Sequence, residues 1–163
     1  MSQISVNGLT FAYPGSYDNV FENASFQIDT DWKLGFIGRN GRGKTTFLRL
    51  LMGEWPYQGS ISSSVAFDYF PFAVEHQEWL AGEVMEEICP EVPRWRLLRE
   101  MSALALDEEL LYRPFETLSN GERTKFLLAL LFARENRFLL IDEPTNHLDL
   151  LGRELVSRYL NSK

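Results

Sequence analysis

Apolar and polar residues alternate along "QISVNGLTFAY" (3–13) and again along "ASFQID" (24–29), with the turn-rich "PGSYDN" between them. A period of two puts one face of a strand in a core and the other in water, so the pattern predicts two strands of an antiparallel β-layer. "WKLGFIG" (32–38) follows as a strand of buried type, then a Gly-rich turn, then "KTTFLRLLMG" (44–53), whose apolar positions recur at helical spacing until Gly53. A glycine there supplies the left-handed turn that ends a helix. This stretch is expected to be strand, loop and helix.

A short β segment is predicted at "SSSVAFDYF" (62–70). Residues 78–112 are dense in Leu, Glu, Arg and Trp at helical spacing and interrupted near Pro90 and Pro93, which predicts two or three helices. A strongly apolar helix is expected from Ser119 to about Arg134. "RFLLID" (137–142) then has the unbroken apolar character of a strand buried on both faces of a parallel sheet, and a last helix starts near Leu150. Buried strands alternating with helices define an α/β class. The expected organisation is one domain over 1–163, with a nucleotide-binding core at 1–72 and 118–163 and a helical subdomain at 73–117.

Composition narrows the classes. With 163 residues and 45% hydrophobic side chains, the chain is of single-domain size. Its longest apolar run, Phe126 to Ala133, is far short of the roughly 20 residues that span a bilayer, and no signal peptide opens it. Cys89 is the only cysteine, so no intrachain disulfide can form, and His76 and His147 lack partners at zinc-ligand spacing in the sequence. A cytoplasmic protein without direct membrane insertion is expected. The formal charge of −7 opposes undirected binding to nucleic acid or anionic membrane.

Residues 38–45 read "GRNGRGKT", a full match to G-x-x-x-x-G-K-[ST] between a predicted strand and a predicted helix. Gly38, Gly41 and Gly43 let the backbone turn and aim its N–H groups, including those of Arg39, Asn40 and Arg42, at phosphate oxygens ahead of a helix N-terminus. Lys44 reaches the terminal phosphates and Thr45 supplies a hydroxyl to Mg²⁺, with Thr46 next in the cofactor-binding run. The alternative, a Gly-rich surface turn with an incidental lysine, does not require the flanking strand and helix.

The apolar strand ending in Asp142 and Glu143 complements this loop. In phosphate-loop proteins a second apolar strand brings an Asp to the Mg²⁺ shell. Glu143 is then placed to orient and deprotonate the attacking water, as the catalytic base. Taken alone, two acids before Pro144 also describe a strand that simply reaches the surface.

The phosphate loop, "LSNGE" (118–122) and "LLIDEPTNHLD" (139–149) together resemble the ATP-binding cassette (ABC) ATPases over nearly the whole chain. The resemblance implies ATP with Mg²⁺, the latter held by Thr45 and Asp142. It implies a second cassette as partner, in the same chain or a homodimer, whose γ-phosphate receives Ser119, Asn120, Gly121 and Glu122. It also places Tyr13 against adenine, although a strand tyrosine packed in the core satisfies the same pattern. Asn120 replaces the family's usual glycine; Asn tolerates left-handed backbone and caps helices, and Ser119 or Asn120 equally reads as an N-cap.

Two features depart from that family. The family's metal-sensing glutamine aligns with Phe72, which cannot ligate a metal, leaving Gln77 as a candidate substitute. Only 21 residues follow Asp142, short of the family's switch histidine and last strands. The sequence is therefore expected to be an incomplete N-terminal cassette, binding ATP with little turnover and prone to self-association through exposed apolar surface.

"EPTNHLD" resembles the soluble ABC-F branch, whose members act on the ribosome as translation or antibiotic-resistance factors; "YFPF" and the 45 residues between Phe72 and Leu118 fit the resistance type. Ribosome contact is expected through parts outside this sequence. The alternative is the ATPase subunit of a membrane transporter, docking through 73–117.

Overall fold

The computed structural model describes residues 2–35, 43–71 and 73–163. They form two compact units, each described by itself. The first comprises the chain up to Tyr69 with Asn136–Leu140; the second comprises Phe70–Glu135 with Ile141–Lys163.

In the first unit β1 (Gln3–Phe11) is the centre of an antiparallel layer, flanked by β2 (Phe21–Asp29) and β3 (Gln58–Ser63). Ile4 faces Ile28 and Val6 faces Phe26 on one side, while Val6 faces Ile61 on the other. The buried positions run Ile4, Val6, Leu9, Phe11. Their step of two becomes three at Gly8, where the register shifts and φ is +62°. One inserted residue returns the alternation to the same face; without it Leu9 and Phe11 would point to water.

α1 (Lys44–Leu51) lays Phe47, Leu50 and Leu51 into the core made by Ile4, Val6, Leu9, Phe11 and Ile28, joined by Leu140. Each such fully buried side chain stabilises the unit by roughly 1.5–3 kcal/mol. The helix stops as the sequence predicts: Gly53 takes φ +75° and its N–H donates to the Leu50 carbonyl at 3.0 Å. The expected strand at 32–38 is not formed over its described part. Trp32 to Gly35 are irregular and exposed, and Phe36 to Gly38 lie outside the described residues.

The single β segment expected at 62–70 is two strands. β3 ends at Ser63, whose hydroxyl accepts the Val65 N–H at 3.1 Å and turns the chain into β4 (Ala66–Phe70). β4 pairs with β5 (Arg137–Ile141). β5 is less buried than its apolar run predicts: Leu140 is enclosed, but Phe138, Leu139 and Ile141 are half-buried and Arg137 is exposed. Among the described residues β4 is its one paired neighbour.

The second unit is helical. α2 (Ala81–Ile88) and α3 (Arg94–Ala103) are separated by the predicted proline break, with Pro93 as the residue before α3. Two short 3₁₀ turns, Glu108–Tyr112 and Phe115–Thr117, lead into α4 (Asn120–Ala133), and α5 (Leu150–Asn161) follows β5. α4 buries Phe126 to Leu131 and Ala133, which makes it a core helix against α3 rather than an amphipathic surface one.

Glu100 of α3 is 2% exposed and yet charged. Tyr159 of α5 donates its hydroxyl to Glu100 at 2.5 Å and Lys163 its ammonium at 2.7 Å. Burial pushes the Glu100 carboxyl up, but the hydrogen bonds from Lys163 and Tyr159 outweigh it and hold the group below the usual range. The Tyr159 ring meets Phe132 of α4 edge-on at 5.2 Å, so one tyrosine ties three helices.

Candidate functional site

The phosphate-loop residues Gly38, Arg39, Asn40, Gly41 and Arg42 lie outside the described residues. Gly43 is the N-cap of α1 at φ +92°, and a Cβ there would sit 2.7 Å from Val20 Cγ1. Both conformation and space therefore require glycine. Lys44, Thr45 and Thr46 form the first turn of α1, with no acidic residue in that turn and no side-chain cap. A helix N-terminus without an acid in its own first turn suits an anionic group.

Tyr13 is brought to this turn. Its hydroxyl hydrogen-bonds Thr46 Oγ1, while its ring meets Phe11 at 5.2 Å and Trp55 at 5.6 Å, both edge-on. Phe11 and Trp55 stack on each other at 5.7 Å. The ring is thus packed on its neighbours beside the helix start and remains 43% exposed.

In the second unit, Asp142 N–H donates to the Phe70 carbonyl at 3.1 Å, carrying the strand ladder one residue past Ile141. The chain then turns sharply. Glu143 has φ +46° and His147 φ +64°, left-handed conformations that cost a non-glycine residue roughly 1–2 kcal/mol. Asn146 holds this turn: its N–H donates to the Glu143 carbonyl at 3.1 Å and its side-chain amide to Glu143 Oε2 at 3.2 Å. Asp149 caps α5 by accepting the Gly152 N–H at 2.7 Å. Sequence reasoning missed Asn146; its spacing of three from Glu143 is the signal that could have shown it.

Ser119 is the N-cap of α4 and forms a reciprocal capping box: its Oγ accepts the Glu122 N–H at 3.1 Å, and its N–H donates to Glu122 Oε1 at 3.0 Å. Asn120 is the first helical residue with ordinary helical backbone, so its tolerance of left-handed geometry is not used here. Ser119 and Asn120 are exposed. A Cβ on Gly121 would meet Leu148 Cδ2 at an ordinary 3.5 Å, so packing within the unit does not demand glycine there. The backbone hydrogen bond from Ser119, with Arg113 nearby, holds the Glu122 carboxyl below its usual range.

Phe72 lies outside the described residues, and Gln77 is exposed, its carbonyl accepting the Glu116 N–H at 2.8 Å. His76 has neighbours the sequence spacing hid. Glu75, His76 and Glu87 bring ligand atoms within 4.8 Å of one another, with His76 Nδ1 also 3.4 Å from Glu78. These carboxylates are exposed, and surface acids gather in this way without an ion to hold them.

Residues 21–146 match the family described as ABC transporter. The chain is 33% identical over 153 residues to ABC transporter F family member 3 of Arabidopsis thaliana, covering 90% of this chain and 21% of that protein. It is 31% identical over 151 residues to the ribosome protection protein VmlR of Bacillus subtilis strain 168, covering 87% of this chain and 26% of that protein. The chain thus spans about a fifth to a quarter of the length of these relatives. Among solved structures it is similar to a metal-chelate type ABC transporter in an inward-facing conformation, with TM-score 0.77, 27% identity, and coverage of 98% of this chain and 66% of that one. The family match and the likeness to a solved cassette agree on an α/β phosphate-loop fold, and the chain belongs to the ABC transporter family of ATP-binding domains.

Proposed function

We propose that this chain is an ATP-hydrolysing cassette of an ABC-F type protein that acts on the ribosome. The observation that carries ATP binding is the head of α1: Gly43 without room for a side chain, then Lys44 and Thr45, with no acid in the first turn. An anionic polyphosphate fits this chemistry, and a carboxylate-rich ligand set would not be needed to hold it. Thr45 and Asp142 would each offer an oxygen ligand to Mg²⁺, and the ion would supply charge neutralisation at the phosphates.

The chain's own residues perform the remaining tasks. Lys44 binds the terminal phosphates and Tyr13 flanks the base. Glu143 accepts the proton of the attacking water, and Asn146 fixes its carboxylate. Ser119, Asn120 and Gly121 present hydroxyl and N–H groups to nucleotide held by a second cassette, supplied by the same polypeptide or by another copy. A lone cassette lacks that contribution, so the isolated chain binds Mg-ATP with little turnover, slowed further by Phe72 in place of glutamine.

The likeness to F-family proteins, including a ribosome protection protein, supports action on the ribosome and a cytoplasmic location. No described helix is long and apolar enough to cross a membrane. The second reading, the ATPase subunit of a membrane transporter, is favoured by the similarity to a metal-chelate type transporter. Sedimentation of the intact protein bearing Glu143→Gln, with ATP, separates the two. Co-migration with ribosomes supports the ABC-F reading; pelleting with membranes overturns it.

A further inference from the structure

The signature segment contains an acid in an awkward place. Glu122 sits one turn into α4, three residues from Ser119, and a free carboxylate there would repel an incoming polyphosphate. Both of its oxygens are engaged instead. Oε1 accepts the Ser119 N–H at 3.0 Å and Oε2 accepts Arg113 Nη1 at 3.1 Å. Arg113 is itself anchored, since its Nη2 donates to the Thr117 carbonyl at 3.2 Å. The neighbouring Arg123 is directed elsewhere, with Nη2 on the Glu116 carbonyl at 2.6 Å and its guanidinium over the Phe115 ring.

We infer that Arg113 is a positioning residue that neutralises Glu122 and locks it into the capping box, so that Glu122 makes no contact with nucleotide while Ser119 does. The inference rests on the reading that Ser119 meets the terminal phosphate of a nucleoside triphosphate held by a second cassette. Two consequences follow from the geometry. Because Ser119 Oγ accepts the Glu122 N–H, its own hydroxyl hydrogen remains available to donate to a phosphate oxygen. Because Arg113 balances Glu122, the surface presented beside Ser119 is dipolar rather than anionic.

The test uses the intact protein with steady-state ATPase kinetics and Mg-ATP as the probe. Arg113→Ala is expected to raise the KM for Mg-ATP about tenfold, the loss of one charge-assisted contact. Adding Glu122→Gln to Arg113→Ala should restore KM to within about twofold, since glutamine's carbonyl still accepts the Ser119 N–H and carries no charge. Arg113→Lys should keep most of the wild-type KM. Nucleotide binding to the phosphate loop, measured with a fluorescent ATP analogue, and the thermal midpoint serve as folding controls. A double variant as impaired as Arg113→Ala overturns the inference, because a purely structural tie would not be repaired by removing its acid. Ser119→Ala separates the two levels: if it is impaired while Arg113→Ala is not, the inference alone fails; if neither changes KM, the underlying contact fails with it.

Discussion

Asn146 grips Glu143 twice, through its main-chain N–H to the Glu143 carbonyl and through its side-chain amide to the Glu143 carboxylate at 3.2 Å. One residue therefore sets both the turn and the aim of the proposed base. Asn146→Ala in the intact protein should lower kcat about tenfold, as expected for a misaligned base, with the KM for ATP unchanged. Steady-state ATPase assays check it; an equal loss in ATP affinity would point to a role in binding instead.

Glu143 sits in a left-handed conformation that glycine adopts without strain. Glu143→Gly should stabilise the fold by up to about 1 kcal/mol while abolishing hydrolysis, a trade of activity for stability at a strained site. Chemical denaturation reports the first effect and phosphate release the second. A destabilised variant would mean that the lost Asn146 contact outweighs the strain.

Gly43→Ala should weaken Mg-ATP binding at least about tenfold and destabilise the start of α1, since a Cβ there is strained by φ +92° and crowded by Val20. Trimming the nearer neighbour in Gly43→Ala/Val20→Ala relieves the closest contact but leaves the Phe21 ring at 3.3 Å and the positive φ, so binding should stay impaired. Isothermal titration of both variants decides, with Lys44→Ala as the reference for lost phosphate contact.

Tyr159→Phe removes a hydrogen bond to buried, charged Glu100 and should cost roughly 1.5–3 kcal/mol. The pH dependence has a definite sign. The folded Glu100 carboxyl lies below its unfolded value, so its contribution is complete above the ordinary carboxylate range and is lost as pH falls through the folded value. Acid titrations of stability should show wild type losing more than Glu100→Gln in that window.

Much of this was legible because it is local. Period-two and helical spacing mark β1, β2, α1 and α4, and Gly53 and Pro93 end or delay helices through their own backbone properties. Gly43 and Lys44 announce themselves because a phosphate loop constrains consecutive residues. What stayed hidden depends on residues distant in the chain. β5 carries a both-faces apolar run yet is half-buried, because burial is decided by pairing strands and not by the run itself. His76 meets Glu87 only once α2 has folded back towards it. Arg113, nine residues before Glu122, gives no sign in the sequence that it neutralises that acid. Of the two N-cap candidates the sequence offers, Ser119 and Asn120, the cap is Ser119.

The tie made by Tyr159 has a mechanical meaning. A helix held only by apolar packing can slide, because dispersion contacts re-form at neighbouring positions; a helix pinned by a buried charge cannot shift without stranding that charge. α3 and α5 are pinned to each other through Glu100 and Tyr159, the Phe132 ring of α4 packs edge-on against that tyrosine, and α5 is capped by Asp149, at the end of the turn that carries Glu143. Any shift of α3 along α5 would therefore strand the Glu100 charge, and the turn that carries Glu143 leads directly into the helix so held.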